Sequence, residues 1–260
     1  MNRTEPRFAF NEIAALYDKA RPDYPDALFA DICAAAQVAP GDPMLDVGCG
    51  SGQATMGFVR CGLAVTALDP GAHLLALARR RLDGLATVAF VQNTFEAAPF
   101  PPGSFKLIAS AQAWHWIAPN ASYRRAASLL APRGTLAVFG NVPGELAPPF
   151  DRKLAEIYRV ELGVPSGPPP ELWYTPQGAL PSLLAGSGHF GPALHKAYMW
   201  NQPYTARSFI EFLGTRTDHR RLSEPVRQKL LAAISEAIAA EGDRVELRFE
   251  THLHLAHRQD

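Results

Sequence analysis

The stretch "MLDVGCGSGQAT", Met44 to Thr55, restricts the possible folds more than any other part of the chain. An apolar run ends at Val47 and meets glycine at positions 48, 50 and 52. A helix then opens near Gln53. Glycine permits positive φ and removes the side chain that would keep a ligand off the backbone. A helix start adds free N–H groups and a partial positive charge. Strand, bare loop and helix in that order fit an open α/β sheet with its ligand at the carboxyl ends of the strands.

The rest of the first half keeps that rhythm. Residues 26–37, 53–62, 71–84 and 121–132 read as helices. Residues 43–47, 64–69, 88–93, 105–112 and 134–141 read as strands with continuous apolar runs. Such strands belong in a parallel sheet covered by helices on both faces. Beyond residue 141 the rhythm breaks. Residues 142–181 are rich in proline, with a helix expected at 150–162, and strand pattern returns at 194–201. Helices follow near 205–214 and 223–241. The last segment, "VELRFETHLHLAHR", alternates like an antiparallel edge strand. We expect one domain over 1–260, with a core at 10–142, an inserted lid at 142–190 and a completing segment at 191–260.

Charge and cysteine content narrow the partners. Twenty-five basic residues balance twenty-five acidic ones, which disfavours a nucleic-acid backbone as partner. Cys33, Cys49 and Cys61 show neither metal nor disulfide spacing and suit a reducing cytosol. The first residues lack the apolar core of a signal peptide, and no run is long enough to span a bilayer. A cytoplasmic protein without membrane partners, monomeric or homodimeric, is the expectation. His252 and His254 share one face of the last strand, but no acid or cysteine completes a set, so no metal is expected. Arg79, Arg80 and Arg81 read as a solvated helix face.

The second strand ends at Asp69, 23 residues beyond Asp46. A carboxylate there can accept hydrogen bonds from both hydroxyls of an unsubstituted ribose. Loop and acid together suggest an adenosine-type ligand. The dinucleotide fingerprint is G-x-G-x-x-G, and Gln53 stands where its third glycine belongs.

These residues resemble class I S-adenosylmethionine (SAM)-dependent methyltransferases. "LDVGCGSGQAT" is similar to that family's glycine-rich motif and "ALDP" to its ribose-binding acid. "FEAAPFPPGSFKLIASAQAWHWI" and "LLAPRGTLAV" are similar to its fourth strand and its approach to the fifth. "YDKARPDYP" and "QAWHW" resemble a small-molecule subgroup that includes trans-aconitate methyltransferase-like proteins, the type 11 kind. The resemblance implies a Rossmann-like fold, with a mostly parallel seven-stranded sheet, helices on both faces and an antiparallel last strand. It implies SAM as cofactor.

By the same resemblance, Gly48, Gly50 and Gly52 flank the methionine end, and Asp46 orders the loop or meets the amino group. Asp69 holds the ribose, and Pro70 and Leu74 border the adenine. Thr94, beside Phe95, stands where many relatives place an aspartate for the adenine amino group. Ala111 and Gln112 face the methionine or the methyl group. Tyr17, Arg21 and Tyr24 lie on a segment able to fold over the pocket, and Arg21 suits the SAM carboxylate. His115 is either a general base or an orienting wall residue. Trp116 is either core or a stacking surface for the acceptor, and Trp173 and Tyr174 are either exposed aromatics or a lid wall. Cys49 reads as packing.

The function implied is methyl transfer to a small-molecule acceptor, at a carboxylate or hydroxyl oxygen. If a carboxylate is the acceptor, Arg21, Arg124 and Arg216 are the candidate cations. The motif "[DN]-P-P-[YF]" of amino-group DNA methyltransferases is missing after the fourth strand. Two alternatives remain at this level, a non-catalytic SAM-binding protein and an NAD-dependent oxidoreductase.

Overall fold

In the computed structural model, residues 9–85, 87–146, 150–163 and 169–259 are described. Residues 1–8, 147–149 and 164–168, from the entry segment and the proline-rich insertion, lie outside them. Seven strands form one sheet: β1 Pro43–Val47, β2 Ala64–Asp69, β3 Val88–Gln92, β4 Phe105–Ala111, β5 Leu130–Leu146, β6 Leu194–Tyr204 and β7 Val245–His257. Their order is β3-β2-β1-β4-β5-β7-β6. The pairs among β1 to β5 are parallel, and β7 is antiparallel to both β5 and β6. The direction of strand progression reverses between β1 and β4, and an open sheet of this kind binds ligands in that crevice.

Continuous apolar strands give the sheet two buried faces. Leu45, Val47, Ile108, Leu136 and Val138 point one way, onto Tyr123 and Ala126 of α6 (Pro119–Leu129) and Leu180 and Leu184 of α8 (Ala179–Gly186). Met44, Leu107, Ala109, Ala137 and Phe139 point the other way. They meet Leu28, Phe29 and Ile32 of α3 (Asp26–Ala35) and Ala54 and Phe58 of α4 (Gln53–Arg60). The alternation of 45 with 44 and of 138 with 139 is the period-two pattern of a strand covered on both sides.

The expectation for β7 as an edge-type strand is corrected. It lies inside the sheet, and the edge is β6, most of whose residues are exposed. The polar alternation is confined to the first half of β7, where Glu246 and Arg248 face solvent. From Thr251 to Ala256 every residue is buried, because chain covers both faces there. A second difference concerns β5, which runs to Leu146 rather than stopping at Asn141, because β7 pairs with it as far as Leu247.

A helical cap closes the far end of the sheet. α7 (Phe150–Leu162), α9 (Ala206–Gly214) and α11 (Glu224–Ala240) share a core of Tyr158, Phe209, Phe212, Leu230, Ile234 and Ile238. The four-residue α10 (Thr217–Arg220) links α9 to α11. The entry segment, α1 (Ala9–Glu12) and α2 (Ala14–Ala20), bridges the cap and α5 (Ala72–Arg81). Asp18 pairs with Arg81 at 2.6 Å and Lys19 with Glu211 at 2.6 Å. Among the described residues no helix is long and apolar enough to cross a membrane.

Candidate functional site

The crevice at the ends of β1, β2 and β4 opens into a cavity of about 210 Å³, with a smaller one of about 30 Å³ beside it. The turn after β1 is drawn in by its neighbour strand, as Gly48 and Cys49 both donate to the Leu68 carbonyl at 2.8 and 3.1 Å. Gly48 has φ +71°, and a Cβ there would lie 2.4 Å from the Ala113 Cβ. Only glycine lets β1 turn this close to the loop after β4. Gly52, with φ +89°, plays a different part. It caps α4 and packs on Ala78 and Leu82, away from both cavities.

Asp69 anchors the other side. Its Oδ2 accepts the Gly50 N–H at 3.0 Å and its Oδ1 the Gly71 N–H at 2.7 Å. Burial pushes its pKa up to about 6, while those two N–H groups hold it down. Asp69 lines the larger cavity, and each carboxylate oxygen keeps a further lone pair beyond these bonds. Asp46, the other candidate acid, is fully buried and lines neither cavity. Its Oδ2 accepts the Thr55 hydroxyl at 2.6 Å, which ties β1 to α4. Burial, against that hydrogen bond, raises its pKa to about 7. Of its two expected roles, ordering the loop fits this position and meeting an amino group does not. Cys49 packs on Ala67 and Leu75, and burial pushes its thiol well up, as a packing residue requires.

The larger cavity gathers Tyr17, Arg21, Gly48, Gly50, Asp69, Pro70, Leu74, Thr94, Phe95, Ala111, Gln112, His115 and Trp116. Gln112 takes φ +56°, uncommon for a residue with a side chain. Its amide N–H donates to Phe139 O at 3.0 Å and its Nε2 to Asn141 O at 2.9 Å, and these bonds hold the turn. Asn93 Oδ1 accepts the Thr94 N–H at 2.8 Å and shapes the neighbouring wall.

His115 sits on the 3₁₀ turn Trp114–Trp116 and opens onto the cavity. Its Nδ1 is 2.9 Å from the Tyr174 hydroxyl. Burial, then the Arg21 charge, lowers its pKa from the usual imidazole value to about 4. The ring is neutral at pH 7. Trp116 packs against His115 and Phe10 at centroid distances of 4.6 and 6.1 Å.

Three other candidate residues, Tyr24 of the covering segment and Trp173 and Tyr174 of the expected lid wall, stand outside the larger cavity. Tyr24 touches the smaller one and packs edge-on against Phe139 at 5.1 Å. Trp173 and Tyr174 lie behind His115, and Tyr174 is fully buried. Its carbonyl accepts from His254 Nε2 at 2.7 Å, which fixes the insertion on β7.

Of the candidate cations, Arg124 is exposed on α6 and lines neither cavity. Arg216 is buried and held by Asp218 at 2.9 Å. Arg21 stacks over Tyr17 at 5.3 Å and donates to Thr215 O at 3.0 Å. The cavity also includes Phe10, Ile117, Glu171, Thr217 and Arg221, which the sequence reading missed. For Glu171 a signal existed, an acid between three prolines and two aromatics in "PPPELWY". Phe10 and Thr217 come from four-residue helices, and Ile117 and Arg221 directly follow a 3₁₀ turn and a four-residue helix, segments too short to carry a period.

The fit of SAM to this site can be tested on the residues present. The cavity joins a backbone free of side chains at Gly48 and Gly50 to a buried carboxylate with spare lone pairs at Asp69. It has apolar walls at Pro70 and Leu74. Among the described residues, Arg21 Nε and Glu171 Oε2 are buried without hydrogen-bond partners, so the site also holds unspent polar capacity. An adenosyl group with a charged amino-acid end suits that set.

Residues 45–138 match the model of the type 11 family, described as a methyltransferase domain. A solved structure from Anaeromyxobacter dehalogenans, provisionally named a type II methyltransferase, matches with TM-score 0.65 and 23% identity. It covers 91% of this chain and 97% of its own. Residues 45–138 thus carry a methyltransferase domain of the type 11 kind, on a fold shared with that solved structure. Curated proteins similar to this chain include an uncharacterized methyltransferase of Mycobacterium bovis, 33% identical over 157 residues, 60% of this chain and 61% of that one. The chain thus spans about three fifths of the length of that relative. A ubiquinone biosynthesis O-methyltransferase of Xanthomonas campestris is 38% identical over 109 residues, 41% of this chain and 46% of its own.

Proposed function

We propose that this methyltransferase uses SAM to methylate an oxygen, carboxylate or hydroxyl, of a small-molecule acceptor. One observation carries the reading. Asp69, at the end of β2, is hydrogen-bonded to Gly50 of the glycine loop on the wall of the cavity. That pairing supports Asp69 as the acid that would bind a ribose, beside backbone bare enough for a cofactor tail. Asp69 would hold the ribose, Pro70 and Leu74 the adenine, Thr94 and Phe95 its edge, and the Gly48–Gly50 backbone with Ala111 and Gln112 the methionine end. When bound, SAM supplies an activated methyl group on a sulfonium.

The remaining work falls to the chain's own residues. They orient an acceptor in line and exclude water. Phe10, Trp116 and Ile117 give the cavity an apolar wall, and Thr217 and Arg221 line it from the cap. A carboxylate acceptor needs no base, and Arg221 offers it a cation. A hydroxyl acceptor has a proton to lose. In the tautomer whose Nδ1–H donates to Tyr174, His115 keeps its Nε2 lone pair for that proton. The similarity to an O-methyltransferase supports oxygen as the acceptor atom.

The NAD reading loses ground because Gln53 already begins α4 where the third glycine should stand. The test is release of S-adenosylhomocysteine (SAH) from SAM against panels of small carboxylic acids and phenols. Turnover with one panel and none with oligonucleotides is expected. Binding of NADH without binding of SAM would overturn the reading.

A further inference from the structure

Glu171 sits on the 3₁₀ turn Pro170–Tyr174 and lines both cavities. Its carboxylate faces two arginines without a hydrogen bond to either. Oε1 is 3.8 Å from Arg21 Nη1 and Oε2 is 3.5 Å from Arg216 Nη2. The side chains of Glu171 and Arg21 are only 12% and 13% exposed, and Glu171 Oε2 and Arg21 Nε have no hydrogen-bond partner among the described residues, which is costly. Arg216 does not depend on Glu171. Asp218 accepts from its Nε at 3.3 Å and its Nη2 at 2.9 Å. Asp218 is in turn held by His219, 2.9 Å away, whose Nε2 meets the Tyr158 hydroxyl at 2.6 Å.

A carboxylate and a guanidinium, each with an unused hydrogen-bonding atom, therefore border the smaller cavity together with Gly48, Cys49 and Gly50. The charges of Arg21, Arg216, Glu171 and Asp218 cancel. A lone anion or cation entering here would leave a buried net charge. An α-amino-acid end brings one charge of each sign and leaves the balance intact.

We propose that Glu171 is a cofactor-binding residue whose carboxylate accepts the α-ammonium of the cofactor, while Arg21 takes the α-carboxylate. The proposal rests on the SAM reading above. It gives the proline-rich insertion a binding role. Glu171 shares its turn with Tyr174, which holds His115, so filling this pocket also fixes the acceptor side of the site.

Calorimetry on the full chain tests it with three ligands: SAH, SAH lacking its amino group, and 5′-methylthioadenosine, which lacks the whole amino-acid end. The wild type should bind SAH about tenfold or more tighter than the deaminated analogue, the size expected for a charged hydrogen bond. In Glu171→Gln that ratio should fall toward one, with 5′-methylthioadenosine bound equally by both proteins. Glu171→Asp keeps the charge balance but withdraws the carboxylate by one methylene, and should give a reduced ratio even if the glutamine variant does not fold. An unchanged ratio in a folded variant overturns the role of Glu171, as does an equal loss of 5′-methylthioadenosine binding. A wild type that binds none of the three ligands overturns the cofactor reading itself.

Discussion

At the scale of single residues, the two acids of the glycine loop have different tasks. Both appear in the sequence as "LDVG" and "ALDP", yet which of them meets the cavity depended on packing that no motif records. Asp46 engages Thr55 through Oδ2 while its Oδ1 has no hydrogen-bond partner among the described residues, and its burial has a consequence for stability. Its folded pKa of about 7 lies above the ordinary carboxylate value of 3.8. The folded state therefore binds the proton more tightly, and this contribution to stability is fully present below pH 4 and lost as pH rises through about 7. Asparagine at that position still accepts from Thr55 and has no proton to lose. Asp46→Asn should thus gain stability relative to the wild type between pH 5 and 8, by about 2–3 kcal/mol from roughly two pH units of linkage. Denaturant melts at the two pH values measure it, and a pH-independent difference would contradict the burial argument. Gly48→Ala makes a steric test. The added methyl group overlaps Ala113 at a positive-φ position, so a loss of roughly 2–4 kcal/mol is expected, with weaker SAH binding. A folded variant of wild-type stability would show that the loop relaxes freely.

At the scale of elements, legibility followed periodicity. Strands β1 to β4 and helices α3 to α6 are bounded by clear apolar runs and by Gly or Pro, and their expected limits agree with the structure to a few residues. The 3₁₀ turn Pro170–Tyr174 was not legible. Proline-rich sequence has no period to read, and Glu171 and Tyr174 gain their roles only when the insertion packs on β7 and His115. The place of β7 between two strands was hidden for a related reason, since alternation in its first half mimics an edge. The cap helix α9 carries Phe212, over which Arg21 lies at 5.9 Å. Its start is a capping box, with Ser208 N–H donating to Thr205 Oγ1 at 3.2 Å and Thr205 N–H donating to Ser208 Oγ at 2.9 Å. Thr205→Ala should cost about 1 kcal/mol, read from the denaturant midpoint. A neutral result would mean the cap is held by its core alone. Tyr174→Phe removes the hydroxyl beside His115 and keeps the ring. With a hydroxyl acceptor, kcat should fall and its pH profile shift, with SAH affinity nearly unchanged. Equal loss of SAH affinity would make Tyr174 a packing residue of the cofactor site.

At the scale of the whole molecule, the parallel sheet brings the ends of β1, β2 and β4 to one crevice, and the later segments close over it. The entry helices, the insertion and the cap each send a charged side chain there, Arg21, Glu171 and Arg221. The sequence marks the floor of the site, because glycines and an acid after a strand have few other physical uses. It does not mark the roof, because residues from three separated segments meet only after folding. The central claim is that this crevice binds SAM through Asp69. Calorimetric titration with SAM and SAH, on the wild type and on Asp69→Ala, tests it most directly. The account predicts micromolar binding of both ligands to the wild type and its loss in the folded variant. No binding to a folded wild type, or undiminished binding to Asp69→Ala, would contradict it.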